Sequence, residues 1–231
     1  MTTDELLSTS AFGRRQDQSA HGVTIGVRTG KDWEQSAKRV LDVVGSLTGL
    51  VILFPVLLVA TLVVKMTSRG PALYRQERVG RRGRQFRVWK FRSMSCGSDQ
   101  RVAQLMAEHG GYVPFYKMRE DPRITRVGRF LRRSSIDELP QLINVLKGEM
   151  SLVGPRPHVQ AEVDQYAPEH HRRLLVKPGI TGLWQVSGRS QVSWDERCRL
   201  DLYYVDNWSV GLDFVLLWKT FASVVRGNGA Y

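Results

Sequence analysis

From Val43 to Val64 the chain carries no charged residue (VVGSLTGLVILFPVLLVATLVV), and no other feature limits its folds as strongly. An uncharged stretch of about 18 residues or more is the usual mark of insertion into a bilayer, whereas a buried core helix seldom needs one so long. As a helix the run would extend about 33 Å against a hydrocarbon layer of about 30 Å, so length alone permits a full span. Pro55 stands in its middle. Lacking an N–H and crowding the carbonyl of Val51, it bends a helix and leaves each arm too short to cross. Lys38 and Arg39 precede the run, and Lys65, Arg69 and Arg75 follow it. Positive charge stays on the cytoplasmic face, so both flanks are expected there. These features favour a re-entrant helical hairpin over residues 38–68, broken at Pro55; a Pro-kinked spanning helix is the alternative. The run begins too far inside the chain, and lacks the small-residue cleavage pattern, for a secretory signal.

Residues 1–37 are polar and without apolar periodicity, which predicts a flexible arm. Residues 69–231 then form one catalytic domain on the cytoplasmic side. The formal net charge of +12 calls for an anionic partner: nucleic acid, acidic lipid headgroups or a phosphorylated substrate. Residues 69–92 hold eight Arg and one Lys against a single acid, Glu77. Such a stretch beside a membrane segment is drawn to anionic headgroups by about 1 kcal/mol per charge, or serves as a phosphate-binding wall. Pro71, the pairs Val79-Gly80 and Arg82-Gly83, and the alternation in RQFRVWKFRSM predict a β-hairpin. Residues 97–121 are a polar connection with a short helix around Arg101 to Glu108. In LDFVLLWKTFASVV, Phe214, Leu217, Trp218 and Phe221 recur at helical spacing; both a core helix and an interfacial one fit. The sum is an α+β fold, predominantly helical: a small catalytic domain with a re-entrant membrane hairpin, interfacial amphipathic helices and a small β-hairpin.

Cys96 and Cys198 lie far apart, which fits a reducing compartment and no disulfide framework. The five His show no metal-ligand spacing and read as solvated surface. The chemistry is expected in DPRITRVGRFLRRSSIDELPQLINVLKGEMSLVGPRP, starting at Asp121. One helix carries Arg126, Arg129, Arg132 and Arg133 away from Val127, Phe130 and Leu131. A second begins at Asp137 or Glu138, tolerates Pro140 in its first turn, and closes at Gly148 after Lys147. Asp137 is a good N-cap and Glu138 a good first-turn residue, so a capping role stands open. The cations around them favour another reading. Arg156, held between Pro155 and Pro157, cannot relax away from an anion. Two adjacent acids among fixed cations suit phosphoryl chemistry, one carboxylate attacking phosphorus while its neighbour holds a divalent metal.

The run KRVLDVVGSLTGLVILFPVLLV, KFRSM at 90–94, DPRITRVGRFLRRSSIDELPQL, SLVGPRP, and KPGITGLWQVSGR at 177–189 together resemble the bacterial sugar transferase family. These are monotopic polyprenyl-phosphate phosphoglycosyl transferases that start exopolysaccharide, O-antigen and glycan assembly. The resemblance covers nearly everything from Lys38 onward and is greatest to initiators of polysaccharides such as succinoglycan. It implies a bacterial inner-membrane enzyme, its active site facing the cytoplasm, that moves a hexose 1-phosphate from a UDP-sugar to undecaprenyl phosphate and releases UMP by a ping-pong route. By the same resemblance Asp137 is the nucleophile and Glu138 the ligand of Mg²⁺. Lys90, Arg132 and Arg156 would steady phosphate oxygens, and Gly179 and Gly182 would be turns that let the backbone approach the substrate, although plain turn formation fits both as well. Surface or capping roles come first for Asp201 and Asp206. Galactose and glucose are the expected sugars, with N-acetylated sugars and a homo-oligomer left open. The rival class is a membrane-tethered basic protein that binds nucleic acid or acidic lipid without catalysis. It lacks a recognisable reader module, so no nucleic-acid partner is expected.

Overall fold

The computed structural model describes residues 32–94, 123–187 and 193–225. The expected arm at 1–31 and the expected helix around Arg101 to Glu108 lie outside those residues. Helix α1 (Asp32–Ile52) starts within what was expected to be the arm, with Asp32 and Glu34 complementing the positive end of its dipole. Helix α2 (Phe54–Thr67) follows at a bend of 61°. The break falls at Leu53 rather than at Pro55. Proline sits in the first turn of the new helix, where a missing N–H costs nothing, so the chain turns just before it. Among the described residues no single helix is long and apolar enough to cross a membrane, while the bent pair passes that test together.

The strands β1 (Leu73–Val79) and β2 (Gln85–Phe91) form the expected antiparallel hairpin, in register from Leu73 opposite Phe91 to Val79 opposite Gln85. Its tip uses the left-handed region at Arg82 and Gly83, φ 58° and 74°. Helix α3 (Arg126–Arg133) is capped by the Thr125 hydroxyl, which accepts from Gly128 N. A 3₁₀ turn over Ile136–Gln141 leads into α4 (Leu142–Lys147), which Gly148 closes at φ 80°. Then come β3 (Ser151–Val153), α5 (Gln160–Val163), a 3₁₀ stretch over Pro168–Leu175, β4 (Gly179–Thr181), parallel to β3, and α6 (Leu183–Val186). Helices α7 (Trp194–Asn207) and α8 (Val210–Val225) end the described chain.

The main core packs Leu200 and Tyr204 of α7 and Leu216 of α8 against Val153, Leu183 and Trp184. A second cluster joins Ala60 and Val64 of α2 to Phe91 and Leu131, so the far end of the hairpin is seated on β2 and α3. The near end is held by polar bonds. Lys38 Nζ donates to Asp213 at 2.6 Å and to Val153 O at 3.1 Å, and Arg39 donates to Val145 O and Leu146 O at 2.7 Å each. After α2, Arg92 donates to Ser68 O at 2.8 Å. Both ends of the hairpin are thereby fixed to one body, while its middle stays open: Val51 and Ile52 are each 68% exposed. Helix α8 buries Leu216 and Asp213 in the core and leaves Phe214, Trp218 and Phe221 exposed.

Candidate active site

The 3₁₀ turn after α3 presents Asp137 and Glu138, and three elements decide what surrounds them. Asn144 on α4 is fully buried, accepts from Trp89 N at 3.0 Å and donates to Arg87 O at 2.8 Å. It thus pins α4, and the turn ahead of it, to the middle of β2. Lys90 is therefore adjacent and donates to Glu138 Oε1 at 2.9 Å. From the Pro155–Pro157 segment Arg156 makes a two-pronged bond to the same carboxylate, Nη2 to Oε1 at 2.7 Å and Nη1 to Oε2 at 3.2 Å. Paired, planar contacts of this kind are among the stronger charge-assisted bonds. Arg132 points its Nε at Ser93 Oγ, 2.8 Å away, and adds positive potential at Asp137. The expected site residues Asp137, Glu138, Lys90, Arg132 and Arg156 are thus brought together.

The two acids differ in state. Burial would push the Glu138 carboxyl up, but Arg156 and Lys90 outweigh it and hold the group well below the usual carboxylate range. Burial, then repulsion from Glu138, raises Asp137 from 3.8 to about 6 against the pull of Lys90, Arg132 and Arg156. Burial also lowers Lys90, with Glu138 opposing, and Glu138 raises Arg156. Asp137 is only 8% exposed, and its carboxylate accepts no hydrogen bond from the described residues. The capping role that stood open is not taken up: Asp137 lies inside the turn, whose preceding residue is Ser135 in the left-handed region at φ 57°. For a non-glycine residue that conformation costs about 1–2 kcal/mol, placing strain two residues ahead of Asp137.

Glu138 Oε1 accepts two hydrogen bonds and Oε2 one from the described residues, so Oε2 keeps acceptor capacity. Magnesium is usually held by one or two carboxylates together with substrate phosphates and water. This donor set fits that pattern. Among the described residues no group of three or more His, Cys, Asp or Glu converges into a protein cage.

Gly179 and Gly182 lie behind the Pro155–Pro157 segment, where Gly179 N donates to Pro155 O at 2.9 Å. A Cβ on Gly179 would meet Gly154 N at 2.1 Å, and one on Gly182 would meet Gly154 O at 2.5 Å. Their close approach is to protein backbone, so their role is to seat β4 against the turn that carries Arg156. His158 departs from the expected solvated surface, whereas His171 is exposed as expected and His21 and His109 lie outside the described residues. His158 is packed with Tyr166 and Trp194, and its Nδ1 lies 2.7 Å from the Tyr166 hydroxyl and 3.2 Å from Arg173 Nη1. Burial and the Arg173 charge hold it neutral. Asp201 is not a surface group. It is fully buried and pairs with Arg173 at 2.6 Å. Spacing gave no signal for this pair or for Asn144, since each is a partner across distant segments. The basic stretch is largely engaged within the protein: Arg78 donates to Pro157 O, Arg81 to Leu175 O and Arg92 to Ser68 O. A non-catalytic nucleic-acid or lipid binder is not favoured.

The model of the bacterial sugar transferase family matches residues 33–227. The undecaprenyl-phosphate galactose phosphotransferase of Salmonella typhimurium is 47% identical over 199 residues, covering 84% of this chain and 41% of that protein. The UDP-glucose:undecaprenyl-phosphate glucose-1-phosphate transferase of Caulobacter vibrioides is 43% identical over 203 residues, 84% of this chain and 72% of its own length. The exopolysaccharide production protein ExoY of Rhizobium meliloti is 39% identical over 199 residues, 84% of this chain and 88% of its own. The chain spans about half the length, or less, of several curated relatives that it matches. With the match running from α1 into the C-terminal helix, this chain belongs to the bacterial sugar transferase family.

Proposed function

We propose that the protein transfers a hexose 1-phosphate from a UDP-sugar to undecaprenyl phosphate, the first membrane step of exopolysaccharide synthesis. The observation that carries this reading is the contrast within the pair: Glu138 is clamped by two cations, while Asp137 is buried, raised and without a hydrogen-bond donor among the described residues. A carboxylate that is largely buried and not tied up by donors is a competent nucleophile once ionised. Its oxygen attacks the sugar-bearing phosphorus, a P–O(Asp) bond forms, and the bond to the bridging oxygen breaks, so that UMP leaves with that oxygen. An oxygen of undecaprenyl phosphate then attacks the same phosphorus and displaces the Asp137 carboxylate, giving the lipid diphosphate sugar. Arg132 and Lys90 hold the equatorial phosphate oxygens, and Arg156 keeps Glu138 ionised. Glu138, through Oε2, would hold Mg²⁺, which supplies charge neutralisation of the diphosphate. Supplying detergent-solubilised protein with Mg²⁺, undecaprenyl phosphate and a panel of UDP-sugars, and measuring UMP, tests this. No UMP from any donor overturns it.

The ionisation of Asp137 sets a pH limb. Its value of about 6 lies above the ordinary 3.8, so the attacking form is lost as pH falls through about 6 and is complete at pH 8. We expect kcat/KM to fall about tenfold per unit below that point. A profile flat down to pH 5 counts against Asp137 as the ionising group.

The hairpin is proposed to be re-entrant in the bacterial inner membrane, with the site facing the cytoplasm. Support comes from the anchoring of both of its ends to one body by Lys38 and Arg92 and from the exposed apolar residues between them. In a Cys96→Ser background, Gln35→Cys and Arg75→Cys are expected to react with an impermeant maleimide only when the cytoplasmic side is opened. Labelling of the two from opposite sides refutes the hairpin.

A further inference from the structure

Strand β3 has one edge on β4, with Ser151 and Val153 paired to Gly179 and Thr181. Leu152 lies between them, so its N–H turns the other way, towards an edge where no strand lies among the described residues. Helix α1 fills that edge with side chains. Asp42 Oδ1 accepts from Leu152 N and from Ser151 Oγ, both at 2.8 Å, and Lys38, one turn earlier, donates to Val153 O at 3.1 Å. Asp42 is 2% exposed, and Ser46, one turn later, is fully buried. Gly45 brings the helix so close that a Cβ there would stand 2.7 Å from Leu152 Cδ1. A carboxylate buried on the helix that opens the apolar run is costly unless it is well paired, and here its partners are the backbone and side chain of one strand. That strand leads without interruption through Gly154 and Pro155 to Arg156, whose guanidinium holds Glu138 at 2.7 Å.

We propose that Asp42 is a positioning residue that ties the seating of the membrane hairpin to the placement of Arg156. It substitutes for a missing edge strand, so that β3 is fixed between β4 and α1, and the stiff Pro155–Pro157 segment projects Arg156 from a strand registered on the membrane helix. The effect on turnover rests on the transferase reading above; the effect on β3 does not. The Pro155–Pro157 segment is also held directly, by Gly179 N to Pro155 O at 2.9 Å, Arg78 to Pro157 O at 3.2 Å and Arg173 to Arg156 O at 3.5 Å, while Asp42 acts on the strand that leads into it.

The test uses the full chain in nanodiscs. Asp42→Ala is expected to lower kcat/KM roughly 10- to 100-fold, the scale of small misplacements of a catalytic group. Asp42→Asn, whose amide oxygen still accepts from Leu152 N, is expected to stay within about threefold of wild type. In an Arg156→Ala background, Asp42→Ala is expected to cost less than about twofold more, because the two act as one unit. Losses that multiply overturn the proposal. Hydrogen exchange supplies the arm free of catalysis: residues 151–157 exchange faster in Asp42→Ala while 85–91 do not change, and unchanged exchange at Leu152 overturns it too. Should Asp42→Ala not fold, Asp42→Glu keeps charge and acceptor but displaces the strand, and full wild-type activity there rejects the idea. If wild type releases no UMP, the functional reading falls and the exchange arm still decides the coupling.

Discussion

Asp137→Asn is expected to reduce sugar-phosphate transfer by roughly 10³-fold or more, with the fold intact or slightly more stable. The amide has the shape of the carboxylate but no anionic oxygen, so the covalent route is closed, whereas binding through Lys90, Arg132 and Arg156 survives. Stability should move the other way. The two largest influences that raise Asp137 are its burial and repulsion from Glu138, and a neutral side chain relieves both. Gain of stability on loss of a strained functional group is a common trade. UMP release and the thermal midpoint, measured on the same sample, check the two halves together. Mass spectrometry of wild type quenched with donor alone should show a hexose-phosphate adduct on the peptide bearing Asp137, absent from the variant. A variant with full turnover, or a wild type that never carries the adduct, removes Asp137 from the role of nucleophile.

Arg173→Met is expected to be the most damaging change to the fold outside the site. Arg173 is 4% exposed, its partner Asp201 is fully buried, and the same guanidinium donates to the Tyr166 hydroxyl at 2.8 Å. Burial raises Asp201 to about 6 even with Arg173 opposing, so without the arginine a charged oxygen would be left in the core. Removing one partner of a buried pair typically costs about 3–5 kcal/mol, while replacing both with apolar groups is often close to neutral. For a chain of this size the single change corresponds to a drop on the order of 10 °C in the unfolding midpoint. The double variant Arg173→Met with Asp201→Leu should recover most of it. Asp201 in the single variant can escape by taking a proton, and with the lowering pull of Arg173 gone its carboxyl stands above about 6, so the loss should grow as pH rises from there. Equal midpoints for the single variant and wild type at pH 8 would show that the pair contributes nothing.

The local signals were of two kinds, and they fared differently. Hairpin β1–β2, the Gly148 stop and the break in the apolar run were legible because alternation, a glycine after a lysine and a proline act over a few residues. Even there the bend sits at Leu53, since a proline is best accommodated just inside a helix start. Asp137 and Glu138 were legible as a pair by their neighbours in sequence and by resemblance, but local propensity alone favoured capping over catalysis. The turn geometry decided against capping by burying Asp137 behind a left-handed Ser135. His158 and Asp201 were read as surface groups because burial of a polar side chain depends on partners from distant segments, here Tyr166 and Arg173.

By itself, the sequence determined the uncharged helical run, its proline, the hairpin and the family motifs, all properties of contiguous residues whose periodicity and charge are intrinsic to the chain. Only the tertiary structure decided which cation meets which carboxylate. Lys90 reaches Glu138 because Asn144 pins α4 to β2, and Arg156 reaches it from a strand whose free edge is satisfied by Asp42. Those pairings join residues between 18 and 110 positions apart. Hydrogen bonds and desolvation act over a few ångströms of space, and a linear pattern carries no record of which distant segments that space will bring together.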